Sequence, residues 1–198
     1  MISEILIVSG LPRSGTSLMM QMLDHGGVAV VTDHIRAADT DNPRGYYEFE
    51  QVKTIQRDTS WLSATRGKAF KMVCQLLYHL PVSETYRILF MERDLDEMLL
   101  SQEKMLERLG RTPAPREAIK RAYVQHLERL HEWLSQQGNM KVLRVGYKDL
   151  VERPHEQTER VREFLGGAID VEKMVKAVDP TLYRNRKPAG ESVAGNPK

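Results

Sequence analysis

Residues 5–23, ILIVSGLPRSGTSLMMQML, limit what this chain can fold into more than any other stretch. The unbroken apolar run at 5–8 is the pattern of a strand buried on both faces of a parallel sheet. A turn follows with Gly10, Pro12, Ser14 and Gly15, after which Leu18, Met19, Met22 and Leu23 recur at helical spacing. A strand, a glycine-punctuated loop and a helix bring the first backbone N–H groups of the helix, which have no internal partners, to the end of the sheet. The helix dipole and the hydroxyls of Thr16 and Ser17 reinforce that end, so it favours an anion.

The loop lacks one residue that most such loops have. From Gly10 it reads G-x-x-x-x-G-T-S, one position away from the nucleoside-triphosphate loop G-x-x-x-x-G-K-[ST]. Thr16 stands where a lysine would reach the terminal phosphates, and the cation of the loop is Arg13 instead. That change argues against an ordinary kinase or GTPase. It favours a nucleotide whose transferable group is held in another way.

Further strands are expected at 28–32, 69–74, 86–91 and 141–145, and helices at 49–62, 94–109, 115–137 and from Pro154 and Asp170. Pro43 and Gly45 keep the polar connection at 33–47 irregular. Strands alternating with helices predict an α/β, three-layer P-loop-type fold, with a central parallel sheet of about five strands flanked by helices. Ligands bind such sheets beyond the carboxyl ends of the strands, where the loop at 10–15 lies. Residues 1–184 are expected to form one domain, and 185–198, rich in Gly, Pro, Lys and Ser, a mobile tail.

A net charge of +2 gives no reason to expect a nucleic-acid partner. No apolar run approaches the roughly 18 residues of a membrane span, and the start of the chain lacks the basic flank of a leader peptide. A cytoplasmic location is the default expectation. The single cysteine, Cys74, excludes an intramolecular disulfide and a cysteine-rich zinc site, and its apolar surroundings, FKMVCQLL, predict a packed core residue. His126 and His131, five apart on an expected helix, do not share a face, so no metal site is expected.

A second signature lies in YRILFMERDLDEMLLSQ, at 86–102. Arg93 falls at the end of an expected strand, and Ser101 follows eight residues later in the next helix. A guanidinium and a hydroxyl so placed can share one phosphate. Alone the pair is a weak signal. Combined with the loop, it resembles the sulfotransferases that use 3′-phosphoadenosine 5′-phosphosulfate (PAPS), and within them the small prokaryotic branch. The family loop P-[KR]-S-G-T-[TS] is matched by Pro12, Arg13, Ser14, Gly15, Thr16 and Ser17, and its 3′-phosphate pair by Arg93 and Ser101. DNPRGYYEFE at 41–50, YKDLVERP at 147–154 and DPTLYR at 179–184 are similar to further segments of that branch. The resemblance thus extends over nearly the whole chain.

The resemblance implies PAPS as donor, adenosine 3′,5′-bisphosphate as product, a small-molecule hydroxyl or amine acceptor, and no metal. Arg13 would act electrostatically, because a guanidinium does not readily give up a proton. The amides of residues 13–17, with Ser14, Thr16 and Ser17, would hold the 5′-phosphosulfate, and Gly15 would let the backbone approach it. Lys71 would meet the sulfuryl group or the acceptor. The family's K-x-H-L-P stretch is not matched, since Val73 stands two residues after Lys71. Glu48, after a Pro-Arg-Gly turn, is the first candidate for the general base, with His34 and Glu50 behind it and His79 as a further alternative. Arg184, Arg186 and Lys187 resemble, loosely, the family's basic tail segment, although its R-K-G-x-x-G form is absent. The aromatic that stacks on adenine in other members is Leu18 here. A nucleotide-binding protein without transfer activity and a small-molecule kinase with a degenerate loop are the competing readings. No residue names the acceptor or the oligomeric state.

Overall fold

β1 (Ile5–Gly10) is buried at every residue, which explains why its sequence is apolar without alternation. In this computed structural model, which describes residues 4–33, 35, 38–39, 42, 44–167 and 169–183, the other strands are β2 (Ala69–Val73), β3 (Tyr86–Glu92) and β4 (Met140–Gly146). They form a parallel sheet in the order β2-β1-β3-β4. The chain leaves β1 for β2 and then returns across β1 to β3. The order therefore reverses between β1 and β3, and a crevice opens there at the carboxyl ends.

The helices are α1 (Thr16–His25), α2 (Leu95–Arg108), α3 (Arg116–Ser135), α4 (Tyr147–Glu152), α5 (Pro154–Leu165) and α6 (Val171–Lys176). They cover both faces of the sheet, and alternate residues of β1 feed two separate cores. Ile5 and Ile7 join Phe70, Ile88 and Phe90 against Leu130 and Leu134 of α3. Leu6 and Val8 join Leu89 and Met91 against Met19 and Leu23 of α1, Val161 of α5 and Met174 of α6.

The sheet has four strands among the described residues, not five. The segment at 28–32 touches β2 through one parallel bridge, Val30 to Ala69, with Ala69 N donating to Ala29 O and Val31 N to Ala69 O, both at 2.8 Å. It then peels away, because Thr32 Oγ1 and Asp33 N both donate to the carbonyl of Glu48. The helix expected at 49–62 is replaced by two 3₁₀ segments, Glu50–Thr54 and Ser60–Thr65. Between them the Asp58 carboxylate accepts from Ser60 N at 2.9 Å and the Asp58 carbonyl from Trp61 Nε1 at 3.0 Å, a local alternative to helical bonding. α4 was not expected, and it directly continues β4 ahead of the helix at Pro154.

Cys74 is fully buried, as its apolar surroundings predict, with Sγ 3.3 Å from His126 Nε2. Burial pushes its thiol up from 9.0 to about 12, and burial raises the hydroxyl of the core residue Tyr86 in the same direction. Such groups keep their protons in the folded protein where the unfolded chain loses them. Their contribution is complete below the unfolded value and disappears as pH rises through the folded one. Melting temperatures should therefore fall as pH rises from about 9 to about 12. A Cys74→Ala variant should show a shallower decline, measured by circular dichroism across that range.

Candidate functional site

The loop after β1 is set by two left-handed residues, Arg13 with φ 70° and Gly15 with φ 102°. That conformation costs a non-glycine residue about 1–2 kcal/mol, so at Arg13 the surrounding structure must hold it. The first bond inside α1 runs from Met19 N to Gly15 O at 3.2 Å, leaving the N–H groups of Thr16, Ser17 and Leu18 ahead of it. No acidic residue occupies the first turn of α1. Nothing in that turn competes with an incoming anion.

Gly15 is required twice over, by its φ and by its neighbour: a Cβ there would collide with the ring of Tyr147. Gly15→Ala should destabilise the protein by about 1–3 kcal/mol. At roughly 2–4 °C per kcal/mol for a chain of this size, thermal denaturation will register the loss.

The crevice between β1 and β3 continues into a cleft of about 600 Å³. Within it, Arg13 Nε donates to Ser101 Oγ at 3.1 Å, joining the loop to α2. Arg93 Nη1 reaches the carbonyl of Arg13 at 3.4 Å. On the other side, Lys71 Nζ donates to Ser17 Oγ at 3.3 Å and to the carbonyl of Tyr46. Burial lowers the pKa of the Arg13 guanidinium, and the charges of Arg93 and Arg108 push the same way. An arginine does not deprotonate in response. It becomes a partly desolvated cation for which an anion is the natural complement.

Arg93 is held by a network that local sequence did not reveal. The side chain of Asp94 caps α2, accepting from Asp96 N at 2.9 Å and Glu97 N at 3.2 Å, which fixes Arg93 just ahead of the helix. Arg93 Nε then pairs with Glu97 at 3.2 Å, the two side chains being only 9% and 7% exposed. The guanidinium lies 4.5 Å from the ring centre of Tyr147 and 5.1 Å from that of Tyr183. Tyr183 donates its hydroxyl to Glu97 at 2.8–3.0 Å and meets Tyr147 edge to face. Burial, followed by the hydrogen bond and charge of Glu97, raises the Tyr183 hydroxyl.

A family model described as a sulfotransferase domain matches residues 3–190. The chain belongs to the sulfotransferase family. Similar solved structures include the sulfotransferase domain from the curacin biosynthetic pathway, with 14% identity and a TM-score of 0.54 over 96% of this chain and 94% of that one. A mouse sulfotransferase complexed with PAP has 15% identity and a TM-score of 0.58, and the match covers 89% of this chain and 63% of the mouse protein. At these identities the likeness is one of fold. The sequence matches none of the curated proteins.

Within this sulfotransferase fold, Pro12, Arg13, Gly15, Thr16, Ser17, Glu48, Lys71, Arg93 and Ser101 all line the one cleft, as does Leu18. Ser14 does not. Its side chain is buried, its Oγ has no hydrogen-bond partner among the described residues, and it lines a smaller cavity toward α3. Glu48 is positioned through its backbone, whose carbonyl accepts the two bonds from Thr32 and Asp33. Glu50 pairs with Lys53, and His79 is exposed beside Gln56; neither lines the cleft. His34, Arg184, Arg186, Lys187 and the tail at 185–198 lie outside the described residues. Among the described residues no cluster of His, Cys, Asp and Glu could hold a metal ion, and no helix is long and apolar enough to cross a membrane.

Glu97, Tyr147 and Tyr183 were missed as site residues. Glu97 carried a usable signal, since an acid four residues after an arginine faces it across one helical turn. Tyr147 and Tyr183 sat inside segments noted only for their resemblance.

Proposed function

We propose that this sulfotransferase moves a sulfuryl group from PAPS to a hydroxyl or amine of a small-molecule acceptor, with residues 1–184 acting as one unit. The observation that carries this reading is the meeting of Arg13, Ser101 and Arg93 in one cleft, where Arg13 donates to the Ser101 hydroxyl and Arg93, from a separate strand end, reaches the Arg13 carbonyl. The donor set fits the nucleotide: amides at the start of a helix, three hydroxyls and two guanidinium groups suit a ligand with anions at both ends. In this reading the N–H groups at the start of α1, with Thr16 and Ser17, bind the 5′-phosphosulfate, and Arg93 and Ser101 bind the 3′-phosphate.

Arg13 stabilises charge that builds on the phosphate oxygen as its bond to sulfur breaks, an interaction worth more in the transition state than before it. Lys71 holds the sulfuryl group or the acceptor. Glu48 accepts the acceptor's proton as its oxygen or nitrogen bonds to sulfur, and adenosine 3′,5′-bisphosphate leaves.

Incubation with sulfur-labelled PAPS and a panel of phenols, alcohols and amines, with and without EDTA, tests the reading. Label is expected to pass to at least one acceptor with release of the bisphosphate. Tight nucleotide binding without transfer to any of them would favour a binding role, and transfer of phosphate from ATP with Mg²⁺ would favour the kinase.

A further inference from the structure

Among the described residues, two that are not glycine have a positive φ: Arg13 at 70° and Tyr47 at 51°. Arg13 belongs to the loop after β1, whereas Tyr47 lies outside it, one residue ahead of Glu48. A left-handed tyrosine persists only where its surroundings hold it there. The carbonyl before it, that of Tyr46, accepts from Ser17 Oγ at 3.3 Å and from Lys71 Nζ. The carbonyl after it, that of Glu48, accepts from Thr32 Oγ1 at 3.0 Å and from Asp33 N at 3.1 Å. The side chain adds its own tie. The Tyr47 hydroxyl donates to Asp24 Oδ2 at 2.9 Å, and the ring packs against the core that includes Met19 and Leu23 of α1. Ser17 and Asp24 stand seven residues apart, on one face of α1 and roughly 10 Å apart along its axis. Residues 46 and 47 are thus fastened to α1 near both of its ends. That helix starts at the proposed phosphosulfate site, and Glu48, which follows the turn, lines the cleft.

We propose that Tyr47 is a positioning residue for sulfuryl transfer: its left-handed turn, locked to α1 through Asp24, aims Glu48 at the acceptor. This inference rests on the reading of Glu48 as the general base. Tyr46 and Glu48 line the cleft and Tyr47 does not, so its effect on the reaction passes through its neighbours. The cost of a left-handed tyrosine and the gain from one charge-assisted hydrogen bond are of the same order. Without the tie to Asp24 the turn relaxes, and Glu48 no longer keeps one position. A base must lie within hydrogen-bond reach of the proton it takes, so that loss of order falls on the chemical step. The N–H groups of α1 and the Arg93 guanidinium keep their places, so the donor binds as before.

The test follows label from PAPS to 4-nitrophenol, 2-naphthol, benzyl alcohol and benzylamine in single turnovers, with bisphosphate affinity measured beside it. Tyr47→Phe keeps the ring and removes the hydroxyl. It should slow transfer to the best of these acceptors about tenfold and change bisphosphate affinity by less than about threefold. Asp24→Ala should reproduce that loss. Asp24→Asn, which keeps an acceptor for the hydroxyl, should recover most of it. Because Tyr47 acts through Glu48, Tyr47→Phe should have no further effect in a Glu48→Gln background. No transfer by the unaltered protein, or a Glu48→Gln variant as fast as it, overturns the underlying reading and this inference with it. A slow Glu48→Gln variant beside a Tyr47→Phe variant at the unaltered rate overturns this inference alone. So does a Tyr47→Phe loss of equal size in both Glu48 backgrounds, or one matched by an equal loss of bisphosphate affinity.

Discussion

Replacing Arg13 with alanine is expected to slow sulfuryl transfer by about 10²–10³, the usual consequence of removing one group that stabilises developing charge. The loss should appear equally in kcat and kcat/KM, because the contact strengthens only as charge builds on the departing oxygen. Product affinity should fall by a smaller factor, since the loop amides and the 3′-phosphate contacts remain. Arg13 also holds a left-handed φ of 70°, so a fold effect must be separated from a charge effect. Arg13→Gly relieves the strain and Arg13→Ala retains it, a difference of about 1 kcal/mol in stability. If charge is what matters, the two variants will differ in melting temperature and share the same slow rate in single-turnover assays with labelled PAPS.

The second large effect is expected at Arg93. Its removal leaves Glu97 as a buried carboxylate that has lost its guanidinium and keeps the Tyr183 hydroxyl. Breaking a buried pair from one side typically costs about 3–5 kcal/mol, and the lost packing of the guanidinium on two tyrosines adds to it. Arg93→Met should therefore shift the urea midpoint strongly. The double variant Arg93→Met, Glu97→Met removes both charges, and replacing a buried pair by apolar groups is often neutral. It should recover most of the stability. Neither variant should recognise a 3′-phosphate, so the double variant isolates the binding role from the structural one.

The centre of the fold was legible because its signals are local. β1, the loop and α1 are contiguous, and their apolar run, glycines and helical spacing lie within about twenty residues. That Arg93 and Ser101 would line the same cleft was readable because a strand end and a helix turn fix their separation. The failures lie where tertiary contacts choose between similar local options. The segment at 28–32 has the composition of a strand, but its backbone turns to bond with residue 48 after one bridge. The stretch at 49–62 has helical residues, but the Asp58 side chain and carbonyl redirect it. The cage around Arg93 had the least chance of being seen whole, since Tyr183 reaches Glu97 from 86 residues away. Lys71 shows the opposite case: its place on a strand paired with β1 was enough to carry it to the cleft, where it meets Ser17.

In the proposed reading the cleft binds a nucleotide with a phosphate at each end, through Arg13 and the loop at one end and through Arg93 and Ser101 at the other. Paired calorimetric titrations with adenosine 3′,5′-bisphosphate and with ADP test it most directly. The bisphosphate is expected to bind at least about tenfold more tightly, and this preference to disappear in Ser101→Ala and in the Arg93→Met, Glu97→Met double variant. ADP binding as tightly as the bisphosphate, or more so, would contradict it.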